Sequence, residues 1–169
     1  MADPRDFLVE RISRDHVRAS FDCGKAPLNE YLHRYALQND KRNLSRAFVA
    51  IDDKSQVWGY FAISASSVAA SAFPKSAVKN LPNYPVPVAL ITRLAVDSEM
   101  RGIGLGARLL VEAFKRIAEA LEYLAVRAVV VDALDNEARP FYRKYGFVEF
   151  DDEPMRLFLP VETVLAALK

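Results

Sequence analysis

The sequence predicts an α/β protein with a mixed central β-sheet that is flanked by helices. Strand-like apolar runs alternate along the chain with amphipathic helical patterns. Residues 88–96 form an apolar β-like run, and residues 126–131 are continuously apolar, as in a strand buried on both faces. Each is followed by a helical pattern, at residues 104–121 and 136–145, as crossover connections require. The length of 169 residues fits a single domain over residues 1–169.

The first part of the chain predicts a strand, a helix and a hairpin, in that order. Residues 7–12 have the pattern of a first strand. Residues 27–38 repeat apolar side chains at helical spacing, with polar side chains opposite. Residues 47–51 and 57–66 predict a hairpin around the polar turn at 52–55. The apolar face of the predicted helix consists of Leu28, Tyr31, Leu32, Tyr35 and Ala36.

Proline and the C-terminal patterns define the remaining elements. Residues 73–87 contain several prolines and predict a loop with one short helix at 75–79. Residues 147–150 and 156–159 predict a closing strand pair, and 161–168 a terminal helix. For the helix at 136–145, Asn136 is the expected N-cap and Gly146 the left-handed residue that ends it.

Composition places the chain among ordinary globular enzymes. It is 51% hydrophobic and 27% charged, and no apolar run approaches the ~20 residues of a membrane span. The N-terminus lacks a secretory pattern, and the single cysteine, Cys23, suits a reducing cytoplasm. His16 and His33 are expected to be surface or packing residues, and no metal site is expected. A formal net charge of +1 confines any nucleic-acid contact to a local patch.

A glycine-rich segment between the central strand and the next helix is the main candidate site. Its three glycines in five positions leave the backbone amides uncovered, and a helix N-terminus follows. Such a turn binds phosphate or pyrophosphate, which predicts a phosphorylated cofactor. A tight turn without a ligand is the alternative. The candidate cofactor-binding residues are Arg101, Gly102, Ile103, Gly104, Leu105, Gly106 and Ala107.

Two other glycine-rich loops do not fit this segment. A Walker loop ends in Gly-Lys-Ser/Thr, whereas Gly106 is followed by Ala107 and Arg108. A dinucleotide-binding loop needs G-x-G-x-x-G early in a βαβ unit. The spacing here is G-x-G-x-G, in the second half of the chain.

Two signatures in the same order resemble those of the GNAT superfamily of N-acetyltransferases. The first is R/Q-x-x-G-x-G/A, matched by Arg101, Gly104 and Gly106. The second is carried by Asn136, Ala138, Phe141, Tyr142, Gly146 and Phe147. The resemblance implies a single GNAT-fold domain with a mixed central sheet flanked by helices.

The resemblance also implies a set of roles around acetyl-CoA. The pantetheine arm would pair with the backbone of Leu94, Ala95 and Val96, and the pyrophosphate would bind the glycine loop. Asn136 and Phe141 would lie near the cofactor. The hydroxyl of Tyr142 would protonate the leaving thiolate, because a phenol of pKa ~10 is a weak acid close to a thiol of pKa ~8.5. The alternative for Tyr142 is an aromatic that packs its helix against the sheet.

The central strand carries no carboxylate that would serve as a general base at its middle. Thr92 and Arg93 stand there instead. An ε-amine with pKa ~10.4 is almost wholly protonated at neutral pH, whereas an α-amine near ~7.7–8.0 is partly free. The sequence therefore favours an α-amino acceptor.

Nearly the whole chain resembles one branch of the superfamily, the acetyltransferase toxins of bacterial type II toxin–antitoxin pairs. The segments that carry this resemblance are 21–24, 28–32, 35–36, 44–50, 59–65, 84–87 and 93–96. It implies acetylation of the α-amino group of aminoacyl-tRNA, which blocks translation. It also implies neutralisation by a ribbon–helix–helix antitoxin whose complex binds operator DNA. A homodimer is common in relatives.

A basic cluster is the candidate tRNA contact. Arg34, Lys41, Arg42 and Arg46, with Asp40 as the only acid between residues 34 and 46, would face tRNA together with Arg93. A solvated helix end is the alternative. For the whole chain, two other functions stay open: a housekeeping acetyltransferase for protein N-termini or a small amine, and a non-catalytic acyl-CoA-binding module.

Overall fold

A computed structural model describes residues 2–169 and confirms the mixed α/β sheet. The strands are β1 (Leu8–Arg11), β2 (Arg46–Ile51), β3 (Val57–Val68), β4 (Val86–Val96), β5 (Ala128–Asp132), β6 (Val148–Glu149) and β7 (Arg156–Pro160). They are hydrogen-bonded in the order β1-β2-β3-β4-β5-β7-β6, which makes β4 central, as predicted. The β4–β5 pair is parallel, and the β1–β2, β2–β3, β5–β7 and β6–β7 pairs are antiparallel.

The helices follow the predicted order. They are α1 (Ala26–Glu30), a π-helical turn (Tyr31–Tyr35), α2 (Ala36–Lys41), α3 (Leu105–Ala120), α4 (Ala138–Lys144) and α5 (Val161–Ala167). Short 3-10 turns cover Pro4–Asp6, Ala70–Ala72, Lys75–Ala77 and Ser98–Met100. The helix expected at 75–79 is thus only a 3-10 turn, and Pro87, expected in the loop, lies in β4. No helix formed by residues 2–169 has the length and apolarity to cross a membrane.

The chain divides into two compact units. The first contains the chain up to Ser64 together with Thr92–Ala113, and the second contains Ala65–Ile91 and Phe114–Lys169.

The first unit is built around the buried ring of Tyr60. This ring stacks on Tyr31 at 6.3 Å between centroids and meets Phe21 edge-on at 5.6 Å. The Tyr60 hydroxyl donates to the carbonyl oxygen of Leu28 at 2.7 Å. Burial of such aromatic side chains contributes much of a core's stability, and a buried phenol needs a partner. Both conditions are met here, so α1 and the π-helical turn are fixed on β3.

The π-helical turn changes which side chains the predicted helix buries. The N–H of Ala36 donates to the carbonyl of Tyr31, five residues earlier, instead of four. The extra residue rotates the following side chains around the helix axis. Tyr35, expected on the apolar face, is therefore 45% exposed, whereas Ala36 and Asp40 are buried. The local pattern predicted the helix but not that Tyr35 would face away from the core and Asp40 towards it.

The second unit is held by aromatic packing beside β5 and β7. The ring of Phe73 lies edge-on to those of Phe150 and Phe158, with centroids at 4.9 and 5.2 Å. The C-terminal part of α3 joins this unit, where Phe114 stacks on Phe147 at 6.2 Å. Gly146 has φ 95 and ends α4 as predicted.

Candidate functional site

The glycine loop connects β4 to α3 and has the backbone conformation that its sequence requires. Gly102 and Gly104 have φ values of 80 and 90, which side-chain-bearing residues rarely adopt. The first backbone hydrogen bond of α3 runs from the N–H of Arg108 to the carbonyl of Gly104, at 3.1 Å. The preceding amides of α3, on Leu105 and its neighbours Gly106 and Ala107, therefore have no acceptor in the helix.

The remaining loop amides are also available. Within residues 2–169, the N–H groups of Gly102, Ile103 and Gly104 donate to no backbone carbonyl. A Cβ at Gly102 would meet no atom within 4 Å, and one at Gly104 would meet only Pro4, at 3.8 Å. The loop is thus an open row of donors at the positive end of a 16-residue helix. This arrangement fits a pyrophosphate.

A buried carboxylate fixes the start of the loop. Asp97 is 4% exposed and accepts hydrogen bonds from the amides of Asp22 and Glu99, each at 3.0 Å. Its own carbonyl accepts from the N–H of Met100 at 2.9 Å. The amide of Ser98 in turn donates to the carbonyl of Asp22 at 2.9 Å. The loop therefore starts from a rigid base that is shared with the segment before α1.

The side chain of Arg101 contributes to this base. Its guanidinium donates to the main-chain carbonyl of Cys23, and its Nη2 atom lies 3.3 Å from the position that a Cβ at Gly24 would take. In this structure the guanidinium therefore hydrogen-bonds to the protein backbone. Cys23 itself is buried, and burial raises the pKa of its thiol.

Within residues 2–169, the second half of β4 has one backbone edge that pairs with no strand. The parallel ladder with β5 ends at Ile91, whereas the N–H of Asp97 still donates to the carbonyl of Trp58 in β3. Successive residues of a strand direct their backbone groups to opposite edges. Leu94 and Val96 therefore direct their N–H and C=O groups away from β3. These groups can pair with an extended amide such as a pantetheine arm.

The middle of β4 is held in place by its side chains. The hydroxyl of Thr92 donates to a β3 carbonyl at 3.3 Å. The guanidinium of Arg93 lies 4.5 Å from the ring centroid of Tyr31 and donates to the Thr92 carbonyl at 3.0 Å. Ala95 is buried, and its carbonyl faces Gly59 on β3. Arg93 is therefore a positioned cation on the face of an aromatic ring.

In the second unit, Tyr142 lies on α4 and is 6% exposed. Its ring meets those of Phe141 and Phe147 edge-on, with centroids at 5.2 and 5.5 Å. Burial raises the pKa of Tyr142 above the ordinary value of a phenol. The hydroxyl consequently keeps its proton at neutral and moderately alkaline pH. Packing alone, the alternative for this residue, explains the ring contacts equally well.

The prediction that Asn136 caps α4 is wrong. The helix begins at Ala138, and the carboxylate of Asp135 accepts from the amides of Glu137 and Ala138 at 3.0 and 3.1 Å. An aspartate caps such a turn as well as an asparagine and also interacts favourably with the helix dipole. The amide oxygen of Asn136 instead accepts from Arg139 at 3.4 Å.

One member of the predicted basic cluster, Arg46, interacts with a buried acid, Asp40, within the protein. Asp40 is 3% exposed, and its carboxylate accepts from Arg11 at 2.9 Å and lies 3.5 Å from Arg46. Arg46 also donates to the Asp40 carbonyl at 2.7 Å. Lys41 and Arg42 are exposed at the end of α2. Arg11 and Arg46 balance the buried acid. The exposed cations of this cluster are Arg34, which lies 3.7 Å from the carboxylate of Glu30, and Lys41 and Arg42.

Sequence reasoning missed two residues that shape the loop. Asp97 supports its start, as described above. Arg108, in the first turn of α3, donates from Nη1 to the main-chain carbonyls of Pro4 and Phe7 at 2.5 and 2.8 Å. Neither role leaves a local signal, since the partners lie far away in the chain.

A mixed sheet with an amide-rich strand-to-helix loop and a free strand edge is the arrangement of an acyltransferase that binds a nucleotide-linked acyl donor. A family model described as "Acetyltransferase (GNAT) domain" matches residues 43–149, and the chain belongs to this family.

Among curated proteins, the chain is 38% identical over 158 residues to a tRNA-acetylating toxin of Mycobacterium tuberculosis (strain ATCC 25618 / H37Rv), with 94% of each chain covered. It is 30% identical to a probable toxin TacT of Sinorhizobium fredii (strain NBRC 101917 / NGR234), covering 88% of this chain and 87% of the relative. Among solved structures, AtaT complexed with acetyl-methionyl-tRNAfMet is similar, with a TM-score of 0.89 and 26% identity. That similarity covers 97% of this chain and 100% of AtaT.

Proposed function

We propose that this chain is an acetyl-CoA-dependent N-acetyltransferase toxin that acetylates the α-amino group of aminoacyl-tRNA and so blocks translation. The observation that carries the enzyme class is the open row of amides from Gly102 to Ala107 at the start of α3. The acceptor is supported by the relative that is 38% identical and is named a tRNA-acetylating toxin. A similar solved structure holds acetyl-methionyl-tRNAfMet, and another is described as AtaTR bound with AcCoA, at 27% identity.

The chain's own residues fit such a donor. The amides of the glycine loop would hold its pyrophosphate, and the backbone of Leu94 and Val96 would pair with its pantetheine amides. Acetyl-CoA supplies the acetyl thioester that an amine attacks. The tethers of the loop at Asp97 and Arg101 keep these donors in place before the cofactor arrives, which lowers the entropic cost of binding. Asn136 and Phe141 are proposed as further cofactor contacts.

We assign proton donation to the hydroxyl of Tyr142. Its buried environment keeps it protonated across the working pH range, so that a hydrogen is available to the developing thiolate. The raised pKa also makes it a weaker acid, so we expect it to hydrogen-bond to the sulfur first and to give up its proton only as charge develops there. The phenylalanine rings on either side hold the tyrosine ring in one orientation.

An α-amino acceptor needs less help from the protein than a lysine does. The middle of β4 carries Thr92 and Arg93 and no carboxylate. The side chain of Thr92 donates a hydrogen bond to a carbonyl of β3, and that of Arg93 donates to a carbonyl of β4. The α-amine is partly deprotonated at neutral pH, whereas a lysine amine is not. The lack of a carboxylate in the sequence of β4 therefore favours an α-amino acceptor.

Lys41 and Arg42 are proposed as tRNA phosphate contacts, together with the partly engaged Arg46 and Arg93. Exposed cations beside a neutralised acid leave a local positive charge on a nearly neutral protein. Ribose–phosphate contacts of this kind fix the orientation of the nucleic acid.

The remaining features of the proposal concern assembly and location. They are a single acetyltransferase domain over residues 1–169, a ribbon–helix–helix antitoxin through which the pair binds operator DNA, a homodimer and a cytoplasmic location. They are supported by likeness to the toxin branch. Co-expression with the product of a neighbouring short reading frame, followed by size-exclusion chromatography, tests the antitoxin and the dimer together.

Incubation with radiolabelled acetyl-CoA tests the proposed acceptor. Aminoacyl-tRNA is compared with uncharged tRNA, an N-terminal peptide and a lysine peptide. Label in the aminoacyl-tRNA fraction alone is expected. Label in a peptide alone would assign the chain to the housekeeping class. Cofactor binding without transfer to any acceptor would indicate a non-catalytic module.

A further inference from the structure

We propose that Arg108 is a positioning residue that holds the N-terminal turn, Pro4–Asp6, against the glycine loop and so fixes the loop for pyrophosphate binding. The inference rests on the proposed function, since it concerns the same cofactor site. It adds a part of the chain, the segment before β1, that neither signature motif includes.

The side chain of Arg108 spans the turn. Its Nη1 atom donates to the carbonyl of Pro4 at 2.5 Å and to that of Phe7 at 2.8 Å. These carbonyls belong to the first residue of the turn and to the residue that follows it. The Nε atom of Arg108 lies 3.6 Å from the carboxylate of Glu112, one helical turn further along α3, which orients the guanidinium. One side chain therefore closes the N-terminal segment onto α3.

The turn is rigid before Arg108 contacts it. The carboxylate of Asp3 accepts from the amide of Arg5 at 2.8 Å, and the carboxylate of Asp6 accepts from the amide of Asp3 at 3.3 Å. Pro4 fixes its own φ, and Phe7 is buried immediately after the turn. Because the segment is preorganised, its docking by two hydrogen bonds loses little conformational entropy.

Arg108 contacts the loop as well as the turn. Its N–H donates to the Gly104 carbonyl at 3.1 Å, and the Cγ of Pro4 lies 3.8 Å from the position of a Cβ on Gly104. The N-terminal turn therefore lies beside the loop residue with φ 90. With its side chain bonded to carbonyls, Arg108 acts on the pyrophosphate through the position of the loop rather than as a ligand.

Calorimetric titration with CoA tests the proposal. The variants are Arg108→Met, which keeps the length of the side chain and removes its donors, and a deletion of residues 2–6 that leaves Phe7 in place. Each is expected to weaken CoA binding about tenfold. Their combination is expected to weaken it no further, since both remove one contact. Arg14→Met, at an exposed position after β1, is the matched control.

Two further readouts separate positioning from catalysis and from general loss of structure. KM for acetyl-CoA is expected to rise while kcat stays within about twofold. In the wild-type protein, amide hydrogen exchange at residues 5–7 is expected to slow when CoA is added.

The proposal is overturned if Arg108→Met and the deletion, both folded by circular dichroism, bind CoA within about twofold of the wild type. If Arg108→Met does not fold, the deletion alone decides. Wild-type protein that binds no CoA would defeat the proposed function itself. A wild type that binds CoA, with variants that bind equally well, would defeat only the role of Arg108.

Discussion

The guanidinium of Arg101 donates a hydrogen bond to the main-chain carbonyl of Cys23, 78 residues earlier in the chain. Arg101 is the first residue of the glycine-loop signature, and its side chain contacts protein. The side chain thus ties the loop to the segment before α1, while the loop amides remain open to an anion. Arg101 therefore contributes to the glycine-loop signature by holding the loop in place rather than by contacting the ligand.

Arg101→Met should therefore loosen the loop. We expect a loss of about 1 kcal/mol in the free energy of unfolding, because Arg101 is exposed and a single hydrogen bond of this kind contributes roughly 0.5–1.5 kcal/mol. CoA affinity should fall several-fold as the amides lose their tether. Urea denaturation and calorimetry measure the two effects. Equal values for the wild type and the variant would remove Arg101 from this role.

Tyr142→Phe should retain CoA binding and lose most turnover. Removal of a positioned proton donor typically lowers kcat about 10²–10⁴-fold, whereas the ring contacts with Phe141 and Phe147 survive. Tyr145→Phe, on the same segment and also against Phe141, is the matched control and should leave kcat unchanged. Steady-state kinetics check both variants. Turnover near that of the wild type in Tyr142→Phe would leave this tyrosine only a packing role.

Gly104→Glu should abolish CoA binding, and Gly104→Gln separates the causes. Both variants force a bulky side chain into a backbone with φ 90, at a cost of about 1–2 kcal/mol. Only the glutamate adds a negative charge beside the proposed pyrophosphate. Calorimetry should therefore show a larger loss for Glu than for Gln. Identical affinities for the two variants would argue against an anion at this loop.

Removal of the exposed cations should weaken tRNA binding without affecting the cofactor. The double variant Lys41→Gln/Arg42→Gln is expected to lose about one to two phosphate contacts. Each lost contact should make the slope of log tRNA affinity against log salt concentration shallower by roughly 0.7–0.9. Lys54→Gln, in the turn between β2 and β3, is the control. Filter binding over a range of salt concentrations measures the slopes. An unchanged slope would leave this cluster as a solvated helix end.

The pH profile of acetyl transfer should report the acceptor amine. The reactive amine is the deprotonated form, so kcat/KM should rise with pH and level off near or below about pH 8 for an α-amine. Because burial raises the pKa of Tyr142, the tyrosine keeps its proton above the ordinary phenol value, and no fall is expected up to about pH 9.5. Single-turnover assays from pH 6 to 9.5 test this. A descending limb in that range would contradict a protonated Tyr142 as donor.

Local patterns predicted most of the elements. Helix α3 forms within the helical pattern at residues 104–121, and the hairpin of β2 and β3 forms around residues 52–55. Two local predictions were wrong. Asp135 rather than Asn136 caps α4, and a π-helical turn leaves Tyr35 exposed. Asp and Asn are about equally good N-caps, so spacing alone does not separate them.

Local patterns predicted the strands, the helices, the glycine loop and the resemblance to an acetyltransferase family, because these features depend on residues within a few positions of one another. The contacts that hold the loop are visible only in the folded chain: Asp97 with Asp22, Arg101 with Cys23, and Arg108 with Pro4, 104 residues apart. Such contacts depend on which chain segments meet after folding. An arginine in a sequence shows that donors exist, whereas the fold selects the carbonyl that accepts from them.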